Sequence, residues 1–416
     1  MRTPVVCPFN PGSDTVPEIW AGRREELDDW HQVLRPRRLA GRAERGRTIL
    51  GEPGTGKSCL VNRISEEARH QGDWTTGQLR IPRGTDPLRR LARALVDLAR
   101  QAGLTTAREH SVTALIRRVE KIAAAGVSLS LRDAQAPEPY TDLTDLLIEI
   151  GRSALRARNT MVLIHLDEVQ NIDDDDVRSQ LLVALGDALT HEETVQAPGG
   201  YSFSRVLPLA VYLTGLPEFA EMAGARTGAT FARRFKTTVL EAISDEDLEM
   251  ALEPFVADGW EVPDDQGGLT RISMHPDARR AIIQLSCGEP FLFQLAGEQA
   301  WNAGTSEVIT ERQAFRGWER AADAAETHVE RILQRLPTRE REFLDAMVAL
   351  PAESRTLSAI AEEAGYAKSS QAGPTSQRLD VVRGIIQRRG RGKVYRFRNR
   401  AVEALLATDW PYEERA

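Results

Sequence analysis

An eight-residue stretch near residue 50 constrains this chain more than any other feature, because it fits the pattern G-x-x-x-x-G-K-[ST]. Glycines in this pattern let the backbone wrap a triphosphate with its N–H groups pointing inward. A β-prone run at 47–50 precedes the stretch, and apolar residues at helical spacing follow it. We therefore predict a phosphate-binding P-loop between a strand and a helix. The predicted nucleotide-binding residues of this loop are Gly51, Glu52, Pro53, Gly54, Thr55, Gly56, Lys57, Ser58 and Cys59.

Two side chains at the end of the loop have defined chemistry in this pattern. The ammonium group of Lys57 is expected to reach the β- and γ-phosphates, and the Ser58 hydroxyl to ligate Mg²⁺. The chain contains only five lysines, so a chance match to the pattern is improbable. The predicted cofactors are ATP and Mg²⁺.

A second strong signal is a continuous apolar run at 161–166 that ends in Asp167 and Glu168. Apolar runs of this length are typical of strands buried on both faces of a parallel sheet. In P-loop enzymes, a carboxylate at such a strand end supports Mg²⁺, and a neighbouring one polarises the attacking water. We assign the metal role to Asp167 and the catalytic role to Glu168. His165 lies within the strand and is interpreted as a core histidine.

Composition narrows the class of protein. A chain of 416 residues is too long to fold around one hydrophobic core, so we expect two or three domains. The three cysteines show no metal-type spacing and are interpreted as reduced thiols, which favours a cytoplasmic location. We find no signal peptide and no run long enough to span a membrane.

The order of the segments predicts an α/β fold: an αβα P-loop domain with a parallel sheet, a helical lid and a C-terminal winged helix-turn-helix. We place the nucleotide-binding domain at 1–240, with an irregular, proline-rich arm at 1–20. The lid is expected at 241–335, where the strand pattern is lost, and the winged helix at 336–416.

The C-terminal region combines predicted helices, the third at 374–384, with a hairpin signal around 389–393. Residues 378–400 include nine basic residues and one acidic residue, in a chain with a net charge of −7. We therefore predict binding to double-stranded DNA, although a winged helix that docks on protein stays open. The predicted DNA contacts are Ser376, Gln377 and Arg378 on the helix, and Arg389, Arg391 and Lys393 in the wing.

With these parts in this order, the sequence resembles the AAA+/STAND-like ATPases of the origin-recognition type, in particular bacterial and archaeal members with a C-terminal winged helix. The resemblance covers nearly the whole chain. It implies that Gly22 and Arg23 lie at the adenine and that Pro290 packs beside it in the lid. It also implies that Thr214 is a sensor on the strand between the P-loop strand and the acidic strand. Arg233 would be an arginine finger acting in an ATP-bound homo-oligomer.

Two departures from the family pattern bear on activity. The sensor is Thr214 where Asn is more usual, and Phe291 follows Pro290 where many relatives carry a phosphate-sensing arginine. These departures predict slow hydrolysis. Two functions therefore remain open: an ATPase that acts on DNA, or a nucleotide-gated signalling scaffold of STAND type without direct DNA binding. A P-loop kinase is disfavoured, because nothing resembles a lid for an acceptor substrate.

Overall fold

The fold is described from a computed structural model of the chain, which covers residues 2–12, 14–104, 113–117, 139–196, 199–263, 268–389 and 394–407. The chain divides into two compact units. The first unit contains 1–23, 51–59 and 239–416, and the second contains 24–50 and 60–238. The P-loop segment is thus grouped with the lid and the C-terminal region. The three-domain division remains a prediction.

The second unit is built on a five-stranded sheet in the order β2-β3-β6-β1-β7, in which the pairs β2–β3, β3–β6 and β6–β1 run parallel. These strands are β1 (Gly46–Leu50), β2 (Trp74–Arg80), β3 (Val162–Asp167), β6 (Leu209–Gly215) and β7 (Phe235–Val239). Every residue of β1, β3 and β6 is buried, as expected for strands covered on both faces. The predicted parallel sheet is therefore confirmed.

Helices flank this sheet. They are α1 (Arg24–Asp28), α2 (Arg35–Leu39), α3 (Lys57–His70), α4 (Pro87–Gln101), α5 (helical over 113–117), α6 (Pro139–Ala157), α7 (Asp175–Thr190) and α8 (Phe219–Arg234), with a π-helical segment at Asp29–Leu34. A separate antiparallel hairpin joins β4 (Glu192–Gln196) to β5 (Ser202–Val206). Within the described ranges, no helix combines the length and apolarity needed to cross a bilayer.

The first unit has one continuous core that extends from the N-terminal arm through the lid to the C-terminal helices. Its helices are α9 (Asp245–Ala257), α10 (Pro276–Ser286), α11 (Pro290–Asn302), α12 (Glu311–Gln334), α13 (Thr338–Ala349), α14 (Leu357–Glu363), α15 (Ser369–Gln377) and α16 (Arg400–Leu406). Its strands are β8 (Trp260–Pro263), β9 (Leu269–Met274), β10 (Val308–Ile309), β11 (Ile386–Arg389) and β12 (Val394–Phe397).

The lid is not purely helical, because β8, β9 and β10 form a three-stranded sheet within it. The lid contains the predicted helices, but the loss of the strand pattern expected at 241–335 does not hold for these three strands. The end of β9 alternates between buried and more exposed residues, with Ile272 and Met274 inside. Strands of two to six residues give only weak patterns of this kind, so the sequence did not distinguish them from their helical surroundings.

The C-terminal region has helices α13–α16 and the antiparallel pair β11–β12, so the predicted hairpin is confirmed. The third helix differs from the prediction of 374–384. It begins at Ser369, where the Gln371 side chain accepts a hydrogen bond from the Lys368 N–H, and it continues as a π-helical segment from Arg378 to Val382. Pro374 therefore lies inside the helix instead of opening it.

The N-terminal arm packs into the core of the first unit. Phe9 is 3% exposed and its ring lies 5.7 Å from that of Phe255. The Gln294 amide holds the arm at two points, since its Oε1 accepts from the Asn10 N–H and its Nε2 donates to the Ile19 carbonyl. The irregular backbone is thus fixed by side chains of the lid.

Candidate functional site

The P-loop turns tightly between β1 and α3. Gly54 and Gly56 have φ values of +83° and +82°, which side chains disfavour. The Thr55 hydroxyl and the Lys57 ammonium group both donate to the Glu52 carbonyl, each at 2.8 Å. The loop therefore has the geometry that its sequence predicts, with Lys57 and Ser58 in the first turn of a helix whose N-terminus favours anions.

Glu52 occupies a variable position of the motif but is 5% exposed. Its Oε2 atom accepts a hydrogen bond from Arg335 Nη1 at 2.7 Å. Arg335 directly follows α12, so this ion pair connects the P-loop to the end of the longest lid helix. Because the Glu52 carboxylate is buried, loss of Arg335 would leave it without its partner charge.

A cavity of about 760 Å³ adjoins the P-loop within the first unit. Ligand sites of drug or nucleotide size typically have volumes of about 300–1,000 Å³. The walls come from the arm, the P-loop, the start of α11 and one face of α12. Its apolar lining includes Ile19, Trp20, Ala21, Ile243 and Phe293. The cavity thus combines an apolar region with an anion-binding loop.

Gly22 and Arg23 both have left-handed backbone conformations, with φ values of 64° and 63°. Arg23 Nη2 donates to the Thr55 carbonyl at 2.9 Å, which brings this segment against the P-loop. A Cβ atom on Gly22 would lie 3.1 Å from Ile243 Cγ2, so a larger residue would crowd that side chain. The contact of these two residues with adenine remains a prediction.

The start of α11 also lies on the P-loop. The Phe291 N–H donates to the Gly54 carbonyl at 3.3 Å, and Pro290 Cβ is 3.7 Å from a Cβ built on Gly56. Cys59 Sγ lies 3.7 Å from the Thr15 carbonyl of the arm. Pro290 and Cys59 both line the cavity, as their assignment to nucleotide binding requires.

In the second unit, Asp167 ends β3 and is 3% exposed. Its carboxylate accepts hydrogen bonds from the Thr214 hydroxyl and the Gln78 amide, both at 2.5 Å, and from the Glu168 N–H at 2.9 Å. Thr214 lies on β6 between β1 and β3, where the family resemblance expected it. His165 is fully buried and its Nε2 lies 3.0 Å from the Thr214 hydroxyl, consistent with a core histidine.

Glu168 adopts a left-handed conformation with φ of 62°, which turns the chain sharply after the strand. Its Oε2 accepts from Gln170 Nε2 at 3.1 Å and from Asn171 Nδ2 at 3.0 Å. The Asn171 amide also donates to the Ile81 carbonyl at 2.9 Å. The carboxylate assigned to water activation is therefore held by two amide side chains.

The two arginines at the end of α8 differ in their surroundings. Arg234 forms an ion pair with Asp187 at 2.8 Å and donates to the Val183 carbonyl. Arg233 is exposed. Arg233 is thus the more exposed of the two, which is compatible with the finger assignment.

The predicted DNA-contact residues fall into three groups. Ser376 is 4% exposed, and its hydroxyl donates to the Gly373 carbonyl and lies 3.3 Å from the Tyr395 hydroxyl. Gln377 is exposed, whereas Arg378 is half-exposed and pairs with the buried Glu340. The side chain of Arg389 and the whole of residues 391 and 393 lie outside the described residues.

Several basic residues of the C-terminal stretch form ion pairs within the first unit. Arg383 pairs with Glu340 at 3.1 Å, Arg398 with Glu241 at 3.1 Å, and Arg400 with Asp245 at 2.6 Å. The count of nine basic residues and one acidic residue along the chain therefore overstates the available positive charge. Arg388 and Arg396 are exposed.

The donor atoms present bear on the predicted metal site. In the part of the chain that the structure describes, no group of three or more His, Cys, Asp or Glu residues is placed to hold a metal ion. The predicted Mg²⁺ site does not require one, since a P-loop enzyme supplies one hydroxyl and one carboxylate, and phosphate oxygens and water complete the coordination. The ordered carboxylate of Asp167 fits this donor chemistry.

Comparisons with known proteins agree with the fold. The AAA ATPase domain model matches residues 19–195. The ORC2 protein of Aeropyrum pernix, solved as ADPNP–ADP complexes, is 16% identical with a TM-score of 0.51, and 96% of each chain is covered. The Walker-type ATPase PABY2304 of Pyrococcus abyssi is 13% identical with a TM-score of 0.53, covering 92% of this chain and 95% of its own. No curated protein sequence matches the chain.

The class of protein follows from these observations. The chain has the fold of AAA+ P-loop ATPases, and residues 19–195 match the model of the AAA ATPase domain. The predicted fold class is confirmed, and the match to the AAA ATPase domain agrees with the resemblance stated from the sequence. The individual site residues remain predictions, supported by the contacts described above.

Sequence reasoning missed the side chains that reach the site from distant segments. In the cavity these include Trp20, Thr327, His328 and Arg331, and Arg335 pairs with Glu52. At the strand end they are Gln78, Gln170 and Asn171. Only the last two had a local signal, namely two amide residues shortly after an acidic pair.

Proposed function

We propose that the protein is a Mg²⁺-dependent ATPase that converts ATP and water to ADP and phosphate. The observation that carries the proposal is the cavity of about 760 Å³ beside a P-loop with correct backbone geometry. Its apolar walls suit a base, and its loop suits phosphates.

Each proposed role follows from the chemistry of the side chain. Lys57 supplies positive charge to the phosphates. Ser58 and Asp167 are the residues that would hold Mg²⁺, whose charge would offset the negative charge of the phosphates. Glu168 orients and polarises the attacking water from a carboxylate held by two amides. Thr214 positions the Asp167 carboxylate, and Arg233 stabilises the γ-phosphate of a neighbouring subunit.

We further propose that nucleotide state is coupled to DNA binding by the C-terminal region. Support comes from contacts between the lid and α16. Glu289, directly before Pro290, accepts a hydrogen bond from Asn399 Nδ2 at 2.7 Å, and Asn399 caps α16 through the Val402 N–H. A ligand that changes the start of α11 would thereby affect the C-terminal helices, and by linkage DNA would affect nucleotide affinity equally.

Nucleotide binding is tested by calorimetry with ATP and the variant Lys57→Ala. Loss of the ammonium group leaves only the loop amides to bind phosphate, so the affinity for ATP should fall by about tenfold to hundredfold. The matched control is Lys368→Ala, which removes an exposed lysine outside the cavity lining. Equal affinity of Lys57→Ala and the parent protein would refute the P-loop assignment.

DNA binding is tested by the salt dependence of duplex affinity in the full chain. Replacing Arg389, Arg391 and Lys393 by alanine should flatten the log–log slope by about 3 if each contacts a phosphate. The control replaces Arg312, Arg316 and Arg320, three exposed arginines of α12, and should leave the slope unchanged. We omit Ser376 from the proposed surface because it is buried.

The second candidate function is a nucleotide-gated signalling scaffold. It is favoured by the ion pairs that occupy Arg378, Arg383, Arg398 and Arg400 within the first unit. These pairs are what a winged helix used for internal packing would show. Absence of duplex binding at ~50 mM salt, with and without ATP, would select this function, because even non-specific DNA binders are strong there.

A further inference from the structure

The face of α12 that lines the cavity presents an unexpected set of polar side chains. Asp323, Thr327, His328 and Arg331 all contribute to the cavity wall, at the spacing of neighbouring positions on one side of a helix. Arg331 is exposed, and no carboxylate of the described residues lies within salt-bridge distance of its guanidinium. No sequence motif indicated that this lid helix would contribute to a binding site.

His328 lies directly against the P-loop. A Cβ atom built on Gly54 would lie 2.3 Å from His328 Cε1 and 2.7 Å from its Nε2. On another side, the imidazole packs against the Phe291 ring with centroids 4.4 Å apart. The ring is thus fixed beside the turn whose backbone N–H groups face a phosphate in loops of this type.

The Nε2 atom of His328 is buried and makes no hydrogen bond to any described residue. The whole residue is 8% exposed. The nearest acidic atom is Glu289 Oε2 at 3.9 Å, beyond hydrogen-bond distance, and that oxygen also has no donor among the described residues. Buried polar atoms of native proteins are almost always partnered, so this nitrogen in a residue of the cavity wall needs an acceptor or donor that the described residues do not supply.

We propose that His328 donates a hydrogen bond from Nε2 to a phosphate oxygen of the bound nucleotide, with the guanidinium of Arg331 as a solvent-facing positive charge on the same helix face. The proposal rests on the proposed nucleotide site and assigns it a ligand from α12. It gives the lid a phosphate contact although Phe291 occupies the position where the resemblance expects an arginine.

The environment of the ring favours this orientation. The Glu289 carboxylate is held on its other oxygen by Asn399 Nδ2 at 2.7 Å, so it cannot turn freely toward the imidazole. Phe291 restricts the ring on one face, and Gly54 leaves room for it because it has no Cβ. The nitrogen is therefore presented to the loop by contacts from three segments.

The test measures binding of adenosine, ADP and a non-hydrolysable ATP analogue by calorimetry. His328→Phe keeps the aromatic packing and removes the donor, so the two phosphorylated ligands should bind about tenfold or more weakly while adenosine is unaffected. His328→Gln restores an amide N–H and should recover part of the loss. The matched control is His70→Phe, the same change at an exposed position outside the cavity lining.

Failure of this inference and failure of the proposed function give different results. If His328→Phe binds all ligands like the parent while Lys57→Ala loses them, His328 is not a phosphate ligand but the nucleotide site stands. An equal loss for adenosine and ADP would also overturn the phosphate role, since it indicates a packing defect. If Lys57→Ala binds normally, the nucleotide site itself is wrong. Should His328→Phe fail to fold, His328→Ala replaces it, with weaker binding expected for the two phosphorylated ligands and unchanged binding for adenosine.

Discussion

The P-loop cavity of the first unit and the acidic strand end of the second unit are assembled in different ways. Glu52 of the loop pairs with Arg335, which is 283 residues further along the chain, and the arm and two lid helices complete the cavity. At the strand end, the Glu168 carboxylate is held by residues two and three positions later. The cavity therefore depends on tertiary packing of the lid, whereas the orientation of Glu168 depends largely on local structure.

Because the two regions are assembled differently, we expect mutations in them to affect different properties of the protein. Damage to the cavity should impair binding first, because the contacts that shape it come from distant segments. Damage at the strand end should impair hydrolysis with binding intact. The following predictions test that separation, beginning with the largest effect.

Glu168→Gln should retain ATP affinity and lose hydrolysis by about 10²–10⁴-fold, because the amide keeps the shape and loses the charge that polarises water. Single-turnover hydrolysis and calorimetry measure the two quantities independently. Glu66→Gln, the same change at an exposed position of α3, is the control. Unchanged hydrolysis in Glu168→Gln would remove this residue from the chemical step, and a loss of binding would break the separation between the two regions.

Arg233→Ala should reduce steady-state hydrolysis by up to ~10³-fold, since an arginine finger stabilises charge on the γ-phosphate. If the finger acts in a neighbouring subunit, mixing Arg233→Ala with Lys57→Ala protein should restore part of the activity. Arg234→Ala is the informative contrast. It removes the ion pair with Asp187 and should lower stability more than activity. A mixture without activity would count against action between subunits.

The sequence predicted the local features of both regions, but it did not predict the contacts between distant segments. The strand–loop–helix at Gly51–Ser58 and the strand ending in Asp167 follow from short patterns, whereas the position of Thr214 between two other strands was implied by the family resemblance; the structure agrees with all three. Local patterns contain the information for such features, because backbone geometry and burial act over a few residues.

Contacts between distant segments were not predictable in this way. Nothing in the sequence near His328 or Arg335 indicates that these side chains reach the P-loop, since α12 shows only the period of a buried amphipathic helix. The C-terminal charge count failed for a related reason: Glu340, Glu241 and Asp245 neutralise basic residues from outside the counted stretch. Charge along a chain is a poor guide to charge on a surface when ion pairs are long-range.

Gly54→Ala should weaken ATP binding by about tenfold or more, because the added Cβ would lie 2.3 Å from His328 and displace the ring. Gly84→Ala is a matched control with a similar φ of +71° but no atom within 4 Å, so it should carry only the conformational cost of about 1–2 kcal/mol. Affinity and urea unfolding distinguish the two effects. If both variants bind ATP equally well, packing of the lid on the loop is not required for binding.

The smallest expected effect concerns the framework of the second unit, where Asp29 pairs with Arg47 at 2.5 Å and with Lys236 at 3.2 Å. Burial raises the pKa of Asp29, but the hydrogen bonds and charges of Arg47 and Lys236 outweigh it, so the net pKa lies below the usual value. A lowered folded-state pKa contributes stability above the unfolded pKa of about 3.9, and this contribution is lost as the pH falls toward the folded value.

Asp29→Asn should therefore lower the free energy of unfolding by roughly 1–3 kcal/mol at pH 7, a modest value because the ion pair is partly exposed. The loss should be smaller at pH 3, because the contribution of the Asp29 carboxylate is then already reduced. Urea unfolding at the two pH values measures the difference. Asp97→Asn is the control, because its pair with Arg100 is largely exposed and should contribute under about 1 kcal/mol. If the pair only supports the sheet, ATP affinity at pH 7 should be unchanged in Asp29→Asn. A loss of affinity equal to that of Gly54→Ala would show that the cavity depends on the sheet framework as strongly as on its own lid.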